Sequence, residues 1–201
     1  NQYYPLNKND LIIDIGSNDG NLISNFKKTC KILGVTPENI AKIAKNRGIP
    51  TIQDYFSEKL SQYIKKKYGR AKIITATNVF AHMDGITPIL KSIKKLMKKN
   101  GIFISESHYL YDLIQYNQYD TIYHEHLRYY SLSSLKYLFN KVGLEIIRAK
   151  RINTHGGSIR VYAASKGIYK KSNKLKSLYN IEKNLFNKRI YSFAQKVEKS
   201  K

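Results

Sequence analysis

An apolar run that breaks abruptly into glycine constrains this chain more than any other feature. Leu11-Ile12-Ile13-Asp14-Ile15 leads straight into Gly16-Ser17-Asn18-Asp19-Gly20. Side chains that are apolar on both faces suit a strand buried inside a parallel sheet. Parallel neighbours need long crossover connections, usually helices, and the following residues supply them. Strands are expected over 31–35, 50–53, 73–77 and 102–106. Helices are expected over 21–28, 37–46 (Ile40, Ile43 and Ala44 inward), 58–67 (Leu60 and Ile64) and 88–99. Pro88 suits a first helical turn, and Ile89, Leu90, Ile93, Leu96 and Met97 share one side before Asn100-Gly101 as the stop. This alternation predicts an α/β fold with a doubly wound, mostly parallel sheet. Such sheets bind ligands at the carboxyl ends of their strands, near the point where strand order reverses.

The pattern changes after residue 107. Residues 108–128 are polar and rich in tyrosine, and read as an insertion beside the active face. A helix is expected over 131–142, with Ser131 or Ser133 as its N-cap and Gly143 as its stop. Strands over 144–151 and 158–164 form an antiparallel C-terminal pair, joined by Ile152-Asn153-Thr154-His155-Gly156-Gly157. From about Lys170 a Lys-rich amphipathic helix follows, with Leu175, Leu178, Leu185, Phe186 and Phe193 as its apolar positions. The organisation expected is a core over 1–168 and a helical extension over 169–201. That extension packs on the sheet, reaches a further domain, or pairs with another chain, as in a homodimer.

With 201 residues and 42% hydrophobic composition, the chain can bury a real core. Its single cysteine, Cys30, makes neither an internal disulfide nor a zinc cluster, which fits a reducing, cytoplasmic setting. No basic n-region with an apolar run marks a signal peptide, and no stretch reaches the roughly 20 apolar residues of a membrane span. The chain opens without methionine just before its first strand, and reads as a piece of something longer. The net charge of +22 raises nucleic acid as a partner. Lys, Asn, Ile and Tyr are abundant together, however, as AT-rich coding produces, and the lysines are spread over polar helix faces.

Two sets of residues carry chemistry. Gly16 and Gly20 let backbone approach a ligand closely, although the loop is not the G-x-G-x-x-G of a phosphate-binding turn. Asp14 and Asp19 would repel pyrophosphate but suit the cationic amino end of S-adenosylmethionine, with Ser17 and Asn18 beside it. The other reading is a simple βα turn. After the second strand, Thr36 stands where a carboxylate would clamp ribose hydroxyls, and Glu38 comes two residues late. Asp54 and Asn78 follow the third and fourth strands, as cofactor contacts or as ordinary loop caps. The second set is Tyr123-His124-Glu125-His126-Leu127. Tyr123 and His126 are three apart and would share one face of a helical turn. Histidine exchanges protons near neutrality, glutamate orients it, and tyrosine donates to a developing oxyanion. That is a toolkit for removing a proton next to a carbonyl. His82, His108 and His155 either line the same pocket or are satisfied polar neighbours.

In combination these residues resemble the SAM-dependent nucleotide-sugar C-methyltransferases, typified by enzymes acting on dTDP-4-keto-deoxysugars. The matching stretches are Asp14–Gly20, Gly48–Thr51 with Asp54-Tyr55-Phe56, Thr77–His82, Asp120–Leu127, and Thr154–Ser158 running into Arg160-Val161-Tyr162. The resemblance covers residues 10–165. It implies the class I SAM-methyltransferase, Rossmann-like fold, with S-adenosyl-L-methionine as cofactor and a nucleotide-sugar substrate. It also implies His126 as general base, Tyr123 and Glu125 beside it, and His82, His108, His124 and His155 near the substrate. The family's zinc module and C-terminal domain have no counterpart here, and Thr36 replaces its usual acid. The competing expectations are an RNA or protein methyltransferase that uses the basic surface, and a degenerate, non-catalytic module.

Overall fold

The computed structural model describes residues 4–199. Seven strands form one sheet in the order β3-β2-β1-β4-β5-β7-β6, where β1 is Leu11–Ile15, β2 Lys31–Thr36, β3 Thr51–Gln53, β4 Ala71–Thr77, β5 Met97–His108, β6 Leu144–Ile152 and β7 Ser158–Ser165. The helices are α1 (Asn21–Ser24), α2 (Ala41–Asn46), α3 (Glu58–Tyr68), α4 (Ile86–Leu96), α5 (Leu110–Tyr116), α6 (Leu132–Lys141) and α7 (Lys174–Lys199). No helix among the described residues is long and apolar enough to cross a membrane. The chain forms two compact units. The first runs through Val79 and adds Gly85–Ile104; the second comprises Phe80–Asp84 and everything from Ser105.

In the first unit β1 lies between β2 and β4 and is parallel to both. Sequence order reverses there, and the register sets Asp14 opposite Gly34 on one side and Thr75 on the other. All five residues of β1 are buried, as expected of a strand covered on both faces. Ile12, Ile23, Cys30, Ile32, Ala44, Ile49 and Ile73 form a core cluster against it.

Three helices differ from expectation. α1 has four residues rather than eight. Ser24 Oγ and Asn25 Nδ2 donate to the Asn21 carbonyl at 2.7 and 3.2 Å, so side chains take the acceptor a longer helix would use. α2 begins only at Ala41 and buries Ala41 and Ala44, whereas Ile43 is 52% exposed. α4 stops at Leu96, before Asn100-Gly101, which instead lie within β5. Arg70 Nη1 donates to the carbonyls of Lys95 and Met97 at 2.6 and 3.1 Å, capping that helix end from outside.

In the second unit β6 and β7 pair antiparallel. Ser131 is the N-cap of α6, and its reciprocal bonds with Ser134 make a capping box. α7 starts at Lys174 and buries Leu175 and Leu185, while Leu178, Phe186 and Phe193 are half-buried. Its one fully buried charge is Glu182, at 0% exposure.

Candidate functional site

The candidate cofactor residues lie in the first unit. Asp14 is buried and accepts a 2.6 Å hydrogen bond from Thr75 Oγ1. Burial pushes its carboxyl up to about 7, with the Thr75 bond pulling the other way. Just past β1, the amides of Gly16 and Ser17 both donate to the Val35 carbonyl, at 2.8 and 3.1 Å. Gly16 has φ +75, and a Cβ there would stand 2.1 Å from Val79 Cγ1. Its close approach is therefore to the chain's own Val79. Ser17 Oγ is buried with no hydrogen-bond partner. Asn18 is exposed with φ 55, and Gly20 packs under Ile49.

Asp19 is already engaged. It forms a 2.6 Å ion pair with Arg47 and accepts from the Asn21 amide at 3.0 Å. Thr36 is buried, its carbonyl accepting from Asp54 N at 3.2 Å, and Glu38 is exposed. Asp54 is exposed too, and its Oδ1 caps the Tyr55 amide at 2.7 Å. Asn78 is half-buried just past β4, with φ 57.

The candidate proton-transfer residues lie in the second unit. Tyr123 to His126 form a tight turn, not helix: His126 N donates to Tyr123 O at 3.1 Å. The turn still brings the two side chains together, with Tyr123 Oη 3.2 Å from His126 Nε2. Tyr129 supports the turn, its hydroxyl donating to Thr121 O at 3.1 Å and accepting from Tyr123 N at 3.3 Å. The ring of His126 lies 4.4 Å from that of Tyr123, 5.1 Å from His82, 5.7 Å from Tyr129 and 6.4 Å from His108. Residues 80–84 are held beside this segment by Leu127 N to Ala81 O (3.0 Å), Tyr130 Oη to Phe80 O (3.2 Å) and His82 Nδ1 to Glu125 O (2.9 Å). A carbonyl only accepts, so His82 Nδ1 carries the proton.

Burial and then the neighbouring His82 hold His126 below its ordinary histidine value, and His108 adds to this. The Thr121 backbone and Glu125 pull upward, although Nδ1 itself is buried with no hydrogen-bond partner. Of the expected residues, Tyr123, His126, His82 and His108 come together. The Glu125 side chain is exposed, and its backbone rather than its carboxylate meets His82. His124 is exposed edge-on to Tyr123, 6.1 Å between ring centres. His155 is exposed at the β6–β7 turn with φ 51.

Buried acids brace that turn and escaped the sequence reading. Glu106 accepts from Arg160 Nε at 2.6 Å and from Thr154 Oγ1 at 3.3 Å. Asp112 ion-pairs with Arg151, while burial still holds its carboxyl above the usual range. Gly157 has φ +125, and a Cβ there would come within 2.5 Å of Asp112. The discoverable signal was an acid at a strand end, Glu106, opposite an arginine that alternates with apolar residues in β7. A cavity of about 540 Å³, lined by Lys136, Glu145, Lys171, Lys176 and Tyr179 among others, contains none of the expected catalytic, cofactor or substrate residues.

A family model described as a methyltransferase domain matches residues 2–149. The C-methyltransferase NovU of Streptomyces niveus is 37% identical over 161 residues, which are 79% of this chain and 38% of NovU. The chain thus spans well under half of that relative's length. Among solved structures, the YcgJ protein of Bacillus subtilis superimposes with a TM-score of 0.61 at 14% identity, covering 83% of this chain and 96% of its own. Magnesium protoporphyrin IX methyltransferase (ChlM) of Synechocystis PCC 6803, solved with SAH bound, gives 0.59 at 14% identity, covering 82% and 77%. At these identities the two structures show a shared fold.

Proposed function

Because the chain belongs to the methyltransferase-domain family, we propose that it is an S-adenosylmethionine-dependent C-methyltransferase acting on a nucleotide-linked keto-deoxysugar. The name of its NovU relative supports carbon as the methyl acceptor. The observation that carries the reading is the Tyr123–His126 pair at 3.2 Å, set among His82, His108 and Tyr129.

The first unit fits the cofactor in part. Asp14 would face its cationic end, and the unpartnered Ser17 hydroxyl offers a buried polar contact. Thr36 supplies one hydroxyl where a carboxylate would make a bidentate ribose contact. When bound, S-adenosylmethionine supplies an electrophilic methyl group.

The chain's own part is the proton. A carbon next to a keto group gives up a proton because the resulting charge spreads onto the carbonyl oxygen. His126 is held in its basic form near neutrality by burial and by His82. Its Nδ1 is enclosed, so Nε2 is the nitrogen that takes the proton. Tyr123 holds Nε2 until substrate displaces the phenol, whose O–H then donates to the oxygen where charge builds.

The test needs no methyl transfer. Incubating the keto-sugar nucleotide with the protein in D2O should exchange the acidic C–H. His126→Ala should slow this exchange and methyl transfer by about 10²–10⁴-fold, while calorimetric affinity for S-adenosylhomocysteine stays unchanged. Exchange by the variant at the wild-type rate would refute the base assignment. If neither the wild type nor Thr36→Asp binds S-adenosylhomocysteine, the chain is a degenerate module or an incomplete piece of the enzyme.

A further inference from the structure

Gln118 follows the left-handed Asn117 that ends α5. Its backbone is tied down on both sides. Gln118 N donates to Leu113 O at 2.9 Å, and its carbonyl accepts from Thr121 Oγ1 at 2.7 Å. The side chain then joins two distant segments of the second unit. Nε2 donates to the Gly156 carbonyl at 2.8 Å, and Oε1 lies 3.2 Å from His108 Nε2.

These two contacts fix a tautomer. A carbonyl only accepts, so the Gly156 contact orients the amide with its NH2 toward the turn. Oε1 is then an acceptor, and His108 Nε2 must carry the proton. In the neutral ring Nδ1 keeps the lone pair. No hydrogen bond reaches Nδ1 among the described residues, and it is not one of the fully enclosed atoms. Gly156 is part of the device: a Cβ there would come within 2.9 Å of Gln118 Nε2. One amide therefore both ties the β6–β7 turn at Gly156 and sets the protonation of His108. His82 is fixed too, but by a backbone carbonyl. For His108 a replaceable side chain makes the choice.

We propose that His108 is a specificity-determining residue, which Gln118 keeps as a hydrogen-bond acceptor, and that it accepts from a hydroxyl of the substrate. This rests on the sugar reading above. A sugar ring offers hydroxyl donors beside its keto group, and an acceptor left unpaired discriminates against an analogue that lacks one.

Imidazole ¹⁵N NMR on the purified chain tests the tautomer without any assay. The wild type should show His108 as the Nε2–H form. Gln118→Met, which cannot accept strongly, should give a mixture of tautomers. Gln118→Glu retains an acceptor, so it should keep Nε2–H. Amide spectra establish that each variant is folded. In turnover, Gln118→Met should raise KM for a hydroxylated keto-sugar about tenfold with kcat nearly unchanged. Removing that hydroxyl from the sugar should erase the difference between variant and wild type. A wild-type ring in the Nδ1–H form, or unchanged KM in folded Gln118→Met, overturns the proposal. If the wild type shows Nε2–H but methylates no keto-sugar, the sugar reading fails and takes the hydroxyl assignment with it, while the tautomer stands.

Discussion

Asp14 is a carboxyl that the fold keeps close to neutral. Its folded value of about 7 lies above the ordinary 3.8 because burial disfavours the charged form. The folded state thus binds this proton more tightly than the unfolded chain. The resulting stability is complete below about pH 4 and is lost as pH rises through about 7, up to about 4 kcal/mol in all. Asp14→Asn keeps a neutral polar group at that position and removes the dependence. Melting the two proteins at pH 5 and pH 8 should show a larger drop in Tm for the wild type. Equal drops would mean that Asp14 is ionised in the fold throughout this range. A cation placed beside Asp14 favours its charged form, so S-adenosylmethionine at pH 8 should raise the Tm of the wild type more than that of the variant.

At the scale of elements, α7 adds one buried carboxylate to the apolar contacts that Leu185, Phe186 and Phe193 make within the second unit. Glu182 accepts from Tyr109 Oη at 3.0 Å, from the amides of Leu132 and Ser133, and from Ser133 Oγ. The two amides are the first of α6, so a residue of one helix caps the N-terminus of another. Burial and Glu182 together push the Tyr109 phenol well above its usual value. Glu182→Leu would leave these donors buried and unpaired, and should cost about 3–5 kcal/mol in urea unfolding. A loss under about 1 kcal/mol would show that α6 holds without this contact. None of this was legible in the sequence, because the partners lie 49–73 residues away from Glu182. What was legible is periodic or local. β1 shows as an unbroken apolar run, α3 through Leu60 and Ile64, and α6 through Ser131 and Gly143. The end of α4 was not, because its cap, Arg70, comes from outside the helix. The same division runs through the candidate site. Tyr123 and His126 meet through a four-residue turn, which spacing alone suggests. The tautomer of His108 depends on Gln118 and Gly156, which only the fold brings together.

For the molecule as a whole the dominant quantity is charge: 36 Lys and Arg against 14 Asp and Glu. Several of the acids are spent inside the structure, Asp10 on Lys98, Glu106 on Arg160 and Asp112 on Arg151. The excess of cations repels itself, and that repulsion acts against the compact state. Salt shortens its reach, from about 30 Å at 0.01 M to about 10 Å at 0.1 M. The Tm should therefore rise over this interval, opposite to a protein held together by surface ion pairs. The same titration separates the sugar reading from the RNA one. A surface that is merely basic binds any polyanion at 0.01 M salt and releases it steeply by about 0.2 M, without sequence preference. An RNA substrate would be retained at 0.2 M in a sequence-dependent way, because contacts to bases are not screened as phosphate contacts are. The expected result is release without preference, together with keto-sugar exchange that persists at 0.2 M, since His126 and Tyr123 act by hydrogen bonding and proton transfer at contact distance. Sequence-selective RNA retention with no sugar exchange would reverse the assignment and make the lysines, rather than the histidine cluster, the feature that selects the substrate.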